Sequence, residues 1–150
     1  MQILRVLVLA GMAATEYQAI TQPEVVQVRR VIDGQTIDVA SGRIRLAGIR
    51  APRLARGAAE DEPFARAARD RLDGLVTHRF VRLEFPSRGS RASAYVLLED
   101  GTFINALLVS EGIALPSGRP SGTRGDALRA AEDQAKAARR GLWGTRQFPW

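Results

Sequence analysis

Residues 31–53 read VIDGQTIDVASGRIRLAGIRAPR. Asp33-Gly34 and Ser41-Gly42 are turn signals, and they divide the stretch into short runs rich in β-branched residues. Ile37–Ala40 and Arg43–Ile49 flank the second turn, while Val25–Ile32 precedes the first, so Val25–Ile49 reads as a strand meander. After it comes Ala51–Glu62, a loop of Ala and Arg. Pro63 then suits the first position of a helix, with Asp61 and Glu62 at its positive end. Phe64, Ala68, Leu72 and Leu75 repeat at helical spacing and predict one buried stripe.

Further along, Phe80, Arg82 and Glu84 alternate with Val81, Leu83 and Phe85, which predicts a strand with one buried face. Ala92–Leu98 and Thr102–Ile104 flank Asp100-Gly101, a strong short hairpin signal. Asn105–Glu111 reads as a short helix stopped at Gly112. Pro116–Gly125 is a Gly/Pro/Ser-rich loop, and Asp126 is placed to cap a last helix over Ala127–Arg140. Five strands with a helix between the third and fourth, then two more helices, predict a small closed barrel capped by helices. Barrels of this order include the OB-fold, a frequent binder of nucleic acid.

Composition removes several chemistries. The chain has 150 residues, 45% apolar and 25% charged, with a single histidine (His78) and no cysteine. There is therefore no disulfide framework, no thiol nucleophile, no Cys-type zinc site and no multi-His metal cage. The net charge is +6, and Lys136 is the only lysine among 22 basic residues. Arginine binds phosphate through a planar fork, so the excess suits a phosphate-binding protein, although biased codon usage would produce it too. Met1–Ala14 has one positive charge, Arg5, ahead of an apolar run and small residues. That is the shape of a short secretory signal, with cleavage expected near Ala13, Ala14 or Ala19. The expected organisation is a leader over 1–22, a domain over 23–143 and a tail over 144–150. The product is expected to be exported, monomeric and without a membrane span.

VIDGQT (31–36), IRLAGIRAPR (44–53), RASAYVLLEDG (91–101), FINALLVSEGIA (103–114) and AEDQAKAARRGLW (131–143) resemble, in order, the staphylococcal nuclease (thermonuclease) family. The resemblance runs from about Val25 to Trp143 and implies a five-stranded OB barrel with three helices, an α+β fold. It further implies calcium-dependent cleavage of nucleic-acid phosphodiesters. Two aspartates and a threonine carbonyl hold the ion, a glutamate handles the attacking water, and two arginines neutralise the phosphoryl oxygens. A hard cation wants oxygen ligands, the water needs a proton acceptor, and developing charge needs cationic donors.

Position by position, this chain departs from that pattern. Asp33 and Thr36 are present, but Gln35 stands where the resemblance implies a metal aspartate. The family phosphate arginines match Arg45 and Arg91. Arg50 stands at the other metal aspartate and Arg53 at the catalytic acid. The metal positions are thus Gln35, Arg50 and Thr36. The family's paired tyrosines for base stacking are missing from Ile113–Gly122, and Gly89 replaces another tyrosine. A guanidinium about 5 Å from a divalent cation is repelled by roughly 2–7 kcal/mol for effective dielectrics of 80 to 20. Calcium is therefore expected to be lost, and with it the usual mechanism.

Residues 29–56 contain seven arginines and two acids, Asp33 and Asp38. Arg45, Arg50, Arg53 and Arg91 form the candidate anion site, with DNA, RNA or a nucleotide as the favoured partner. The alternative is structural: Arg45 pairs with Asp33, and Arg50 and Arg53 pair with Glu60, Asp61 or Glu62. Ser87–Ser90 and Ser117–Gly122 could bind phosphate through backbone amides but lack a P-loop pattern. His78 reads as a surface residue, and Trp143 and Trp150 as packing anchors. The favoured function is a pseudoenzyme that binds a polyanion. Its rivals are an active phosphodiesterase with a metal site rearranged around Asp33, Gln35 and Glu60 or Asp61, and a protein-interaction module with no ligand site.

Overall fold

The structure, a computed structural model, describes residues 23–145. The expected leader and Trp150 lie outside the described residues. Alternating apolar residues form β1 over Glu24–Asp33, a strand long enough to pair with two others. Its first half pairs antiparallel with β5 (Phe80–Glu84), from Glu24↔Leu83 to Gln27↔Phe80. Its second half pairs with β2 (Thr36–Val39), from Val28↔Val39 to Asp33↔Thr36. Register shifts between Val28 and Arg30 and between Val31 and Asp33 let the strand bend from one sheet into the next.

β2 pairs antiparallel with β3 (Gly42–Leu46), and β5 with β6 (Ser93–Leu97). β3 and β6 run parallel through Arg45↔Ser93 and Leu46↔Ala94, which closes the barrel in the order β1-β2-β3-β6-β5. Three helices complete it: α1 (Ala65–Val76), α2 (Ile104–Ser110) and α3 (Gly122–Ala137). The five-stranded barrel with three helices is the α+β fold that the sequence pattern and the resemblance both imply. No helix among the described residues is long and apolar enough to cross a membrane.

Val28, Ile37, Val39, Leu46, Leu83 and Val96 are buried in the core, and α1 adds Ala68, Leu72 and Val76. Each such aliphatic side chain contributes about 1.5–3 kcal/mol on burial. The parallel seam is the weak place, because it is only two residue pairs long. Asn105, fully buried at the start of α2, braces it from both sides. Its Nδ2 donates to the Ala47 carbonyl at 2.8 Å, and its Oδ1 accepts the Val96 N–H at 3.0 Å. Ala47 N–H in turn donates to the Ala94 carbonyl at 2.8 Å.

Several boundaries differ from the sequence expectation. α1 begins at Ala65, because Phe64 adopts a left-handed conformation (φ 67°) that the helix cannot include. Asp61 and Glu62 therefore belong to the preceding loop, where arginines hold them. The buried stripe of α1 is Ala65, Ala68, Leu72 and Val76, with Leu75 only half-buried. Arg43–Ile49 is not one strand: Gly48 turns at φ 70°, and Ile49–Arg50 forms a separate strand, β4. β4 pairs with β7 (Leu115–Pro116), which falls at the start of the segment expected to be a loop.

The hairpin around Asp100-Gly101 keeps its turn but reduces its second arm to a single bridge, Leu97↔Phe103, because α2 starts at once. Asp126 does not cap α3. The helix starts at Gly122 rather than Ala127, and Asp126 pairs instead with Arg129. Tertiary packing overrides the glycine content there: Gly125 lies so close to Pro120 that a Cβ would sit 2.2 Å from its carbonyl oxygen. Gly112 does stop α2, at φ 73° and against the Arg140 carbonyl. His78 is exposed, and Trp143 is half-buried with Lys136 Nζ 4.6 Å from its ring centroid.

Asn105→Ala leaves the Ala47 carbonyl and the Val96 N–H buried without that partner. The variant is expected to lose about 2–4 kcal/mol of stability. Urea unfolding measures it, and a loss below about 1 kcal/mol would mean that the seam does not need the bracket.

Candidate functional site

The turn between β1 and β2 organises one side of the site. Gly34 lets it lie flat, since a Cβ there would meet the Cβ of Ala68 at 2.7 Å and of Ala51 at 2.9 Å. The Asp33 carboxylate accepts the Gln35 N–H at 2.9 Å, closing the turn on itself. Gln35 is buried, and its backbone carbonyl accepts the Leu46 N–H at 2.7 Å. Its side-chain Oε1 accepts the Ala51 N–H at 2.8 Å. A neutral amide thus ties the turn directly to the segment that carries Arg50 and Arg53.

A carboxylate organises the other end of that segment. Arg53 Nε donates to Glu62 Oε1 at 3.0 Å, and Arg53 N–H donates to Glu62 Oε2 at 2.9 Å. Glu62 N–H returns a bond to the Arg53 carbonyl at 2.9 Å, so the loop between them closes as a ring. Arg50 Nη2 approaches Glu62 Oε2 at 3.6 Å. The Arg53 backbone N–H foremost, then its side-chain hydrogen bond and the charges of Arg53 and Arg50, hold the Glu62 carboxyl below its ordinary value of 4.5, against a desolvation penalty. Asp61 accepts the Ala55 N–H at 2.7 Å and pairs with Arg66 at 2.6 Å. The Arg66 hydrogen bond is the main reason that the Asp61 carboxyl is also depressed.

Arg45 lies exposed on β3, opposite Thr36 in register. Its backbone N–H donates to the Ala92 carbonyl at 2.8 Å, which brings the Arg45 and Arg91 positions together across the start of the seam. The side chains are engaged differently. Arg91 is ion-paired with Glu24 and lies over the Phe85 ring, 4.6 Å from its centroid. Arg45 has no ion pair among the described residues, and the Asp33 pairing weighed for it does not occur. The Glu62 pairing weighed for Arg50 and Arg53 does occur. The structure therefore gathers Gln35, Arg50 and Arg53 around one loop, and sets Arg45 and Arg91 on adjoining strand ends.

Residues 43–145 match the staphylococcal nuclease homologue family. The chain belongs to that family. A probable endonuclease LCL3 of Phaeosphaeria nodorum is 35% identical over 109 residues, which cover 67% of this chain and 37% of the relative. A second, from Leptosphaeria maculans, is 31% identical over 124 residues, covering 77% of this chain and 42% of the relative. The chain thus spans about two fifths of the length of these curated relatives.

Two partners in this nuclease-family site escaped the sequence reading. Glu24 stands 67 positions before Arg91 in the chain, and no local pattern links them. The Gln35–Ala51 bond gave no signal beyond the replacement of aspartate by glutamine. Glu62→Gln keeps an acceptor for the Arg53 N–H but removes the charge. Because the Glu62 pKa is lowered in the folded state, its charge stabilises above about pH 4.5 and this contribution is lost as pH falls through the depressed value. The variant is expected to be less stable than wild type by at most about 1 kcal/mol at pH 7, since the arginines are exposed. The gap should close as pH falls below the depressed Glu62 value; paired thermal melts from neutral into acid check it.

Proposed function

We propose that this staphylococcal nuclease-family domain binds a polyanion, most simply nucleic acid, through Arg45, Arg50, Arg53 and Arg91, without calcium and without phosphodiester hydrolysis. The observation that carries the reading is the bond from Ala51 N–H to Gln35 Oε1. It fastens the two segments that the family resemblance assigns to a metal ion, and the residue next to that bond is a guanidinium rather than a carboxylate.

The donor set supports the same conclusion. A hard divalent cation needs several oxygen ligands, preferably anionic. Here the Gln35 oxygen already accepts a hydrogen bond, Arg50 brings positive charge, and Asp33 closes its own turn. Among the described residues, no group of three or more His, Asp or Glu side chains could hold an ion. These residues do not fit calcium. Nor does the set offer a general base, because Arg53 cannot accept a proton at ordinary pH.

The same arrangement suits phosphate. Arg50 and Arg53 share Glu62, and Arg91 rests on Glu24, so carboxylates hold three guanidiniums in place while the site is free. Such exposed pairs are worth at most about 1 kcal/mol each, so a phosphodiester chain can displace them at small cost. A hydrolytic reading draws on the retained phosphate arginines, Arg45 and Arg91, and on relatives described as probable endonucleases.

The test is binding of single-stranded DNA in EDTA, followed by anisotropy across a salt series. If four phosphates are contacted, the slope of log affinity against log salt is expected to be about −3. Arg50→Glu/Arg53→Glu should weaken binding and flatten that slope. Equal binding by the double variant would remove the arginine site. Calcium-dependent cleavage by the purified wild type, abolished in Arg45→Ala, would establish hydrolysis instead.

A further inference from the structure

The segment Asp61-Glu62-Pro63 is a helix start by composition, with two acids ahead of a proline suited to the first helical position. The helix nevertheless begins at Ala65. Ala65 N–H donates to the Glu62 carbonyl at 3.0 Å, closing a tight turn whose central residues are Pro63 and Phe64. The turn sets Phe64 at φ 67° and ψ 3°, a conformation that suits glycine and that a bulky side chain occupies only under strain. α1 is left with no side-chain cap and no acid in its first turn, although two carboxylates lie just ahead of it.

Both carboxylates are engaged away from the helix. Glu62 accepts the Arg53 N–H at 2.9 Å and Arg53 Nε at 3.0 Å, with Arg50 Nη2 at 3.6 Å. Asp61 accepts the Ala55 N–H at 2.7 Å. One side chain, Glu62, thus covers two guanidiniums and also holds the chain in the strained turn. Residues 56–60 between these anchors are exposed, so the loop can move without uncovering the core. Phe64 is only half-buried at the margin of the core, and its ring can turn with its backbone.

We propose that residues 53–64 form an autoinhibitory strap: Glu62 sits on Arg50 and Arg53 as an internal anion, and a polyanion that displaces it lets Phe64 relax and α1 extend back to Pro63. The identity of the trigger rests on the polyanion reading of the arginine site; the two states of the turn do not. In the extended state Asp61 and Glu62 lie beside the first-turn N–H groups, where negative charge is favoured, so the released carboxylates gain new partners. The Arg66 and Ala67 N–H groups gain the Glu62 and Pro63 carbonyls as helical acceptors. An anion on Arg50 and Arg53 acts on α1 by favouring one of these two states.

The experiment compares wild type, Glu62→Ala, Glu60→Ala, Phe64→Gly and Arg50→Glu/Arg53→Glu, with single-stranded DNA as the probe. Backbone NMR shifts of Phe64 and amide exchange at Arg66 and Ala67 report the turn, anisotropy reports binding, and thermal melts confirm that each variant folds. Glu60 is exposed and in no ion pair among the described residues, so Glu60→Ala controls for the loss of one negative charge. Without DNA, Glu62→Ala is expected to move Phe64 to helical shifts and to slow exchange at Ala67; wild type does so only with DNA. Glu62→Ala should bind about fivefold tighter than wild type, and Glu60→Ala tighter by less than about twofold. Phe64→Gly relieves the strain and weakens the helix, so it should stay in the turn and bind severalfold more weakly.

If Phe64 keeps its left-handed shifts in Glu62→Ala and in DNA-bound wild type, the strap is overturned, and the arginine reading stands where the double variant fails to bind. Equal tightening by Glu60→Ala and Glu62→Ala also overturns the strap, because net charge then accounts for the gain. If the double variant binds DNA as well as wild type, or if wild type does not bind it, the polyanion reading falls. The ligand-free Glu62→Ala protein then decides the two-state turn, helical shifts upholding it and left-handed shifts overturning it.

Discussion

A barrel drawn from a meander must close through one pair that no hairpin supplies. Here that pair is the parallel contact of β3 with β6, and it is two residues long. A buried amide makes so short a seam durable. Asn105 satisfies a carbonyl from the β3 side and an N–H from the β6 side, and it fixes α2 to both. One half of the site follows from this closure, because it delivers Ala92 to the backbone of Arg45 and so places two distant arginine positions together.

The arginine excess resolves into several kinds of work. Arg71 on α1 makes three hydrogen bonds to Glu111 at the end of α2, and Arg124 on α3 grips Glu84 on the barrel. These guanidiniums connect helices to strands. Arg50, Arg53 and Arg91 lie on exposed carboxylates that a stronger anion can replace, and Arg45 and Arg119 are unpaired among the described residues. The composition alone could not separate these groups, since each uses the same side chain.

The strand meander, the helix order and the barrel were legible because each depends on local periodicity and turn chemistry. The misplaced boundaries had a different origin. Phe64 takes a left-handed conformation, Gly125 enters a helix where it packs against Pro120, and β4 exists only through its contact with Leu115–Pro116. None of these has a short-range signal. The candidate residues themselves could be picked out by resemblance, and the Arg–Glu62 contacts could be foreseen from their proximity in the chain. The carboxylate that meets Arg91 and the amide bond at Ala51 required the three-dimensional arrangement, since both join segments with no shared pattern.

The Gln35 bond also limits how this site can change. Aspartate is shorter by one methylene, so an aspartate at position 35 would draw its oxygens back from the Ala51 N–H. The β1–β2 turn would then lose its direct tie to the segment that carries Arg50 and Arg53, while the Glu62 contacts at the far end of that segment would remain. One methylene at position 35 therefore sets the span between two segments that share no other side-chain bond among the described residues.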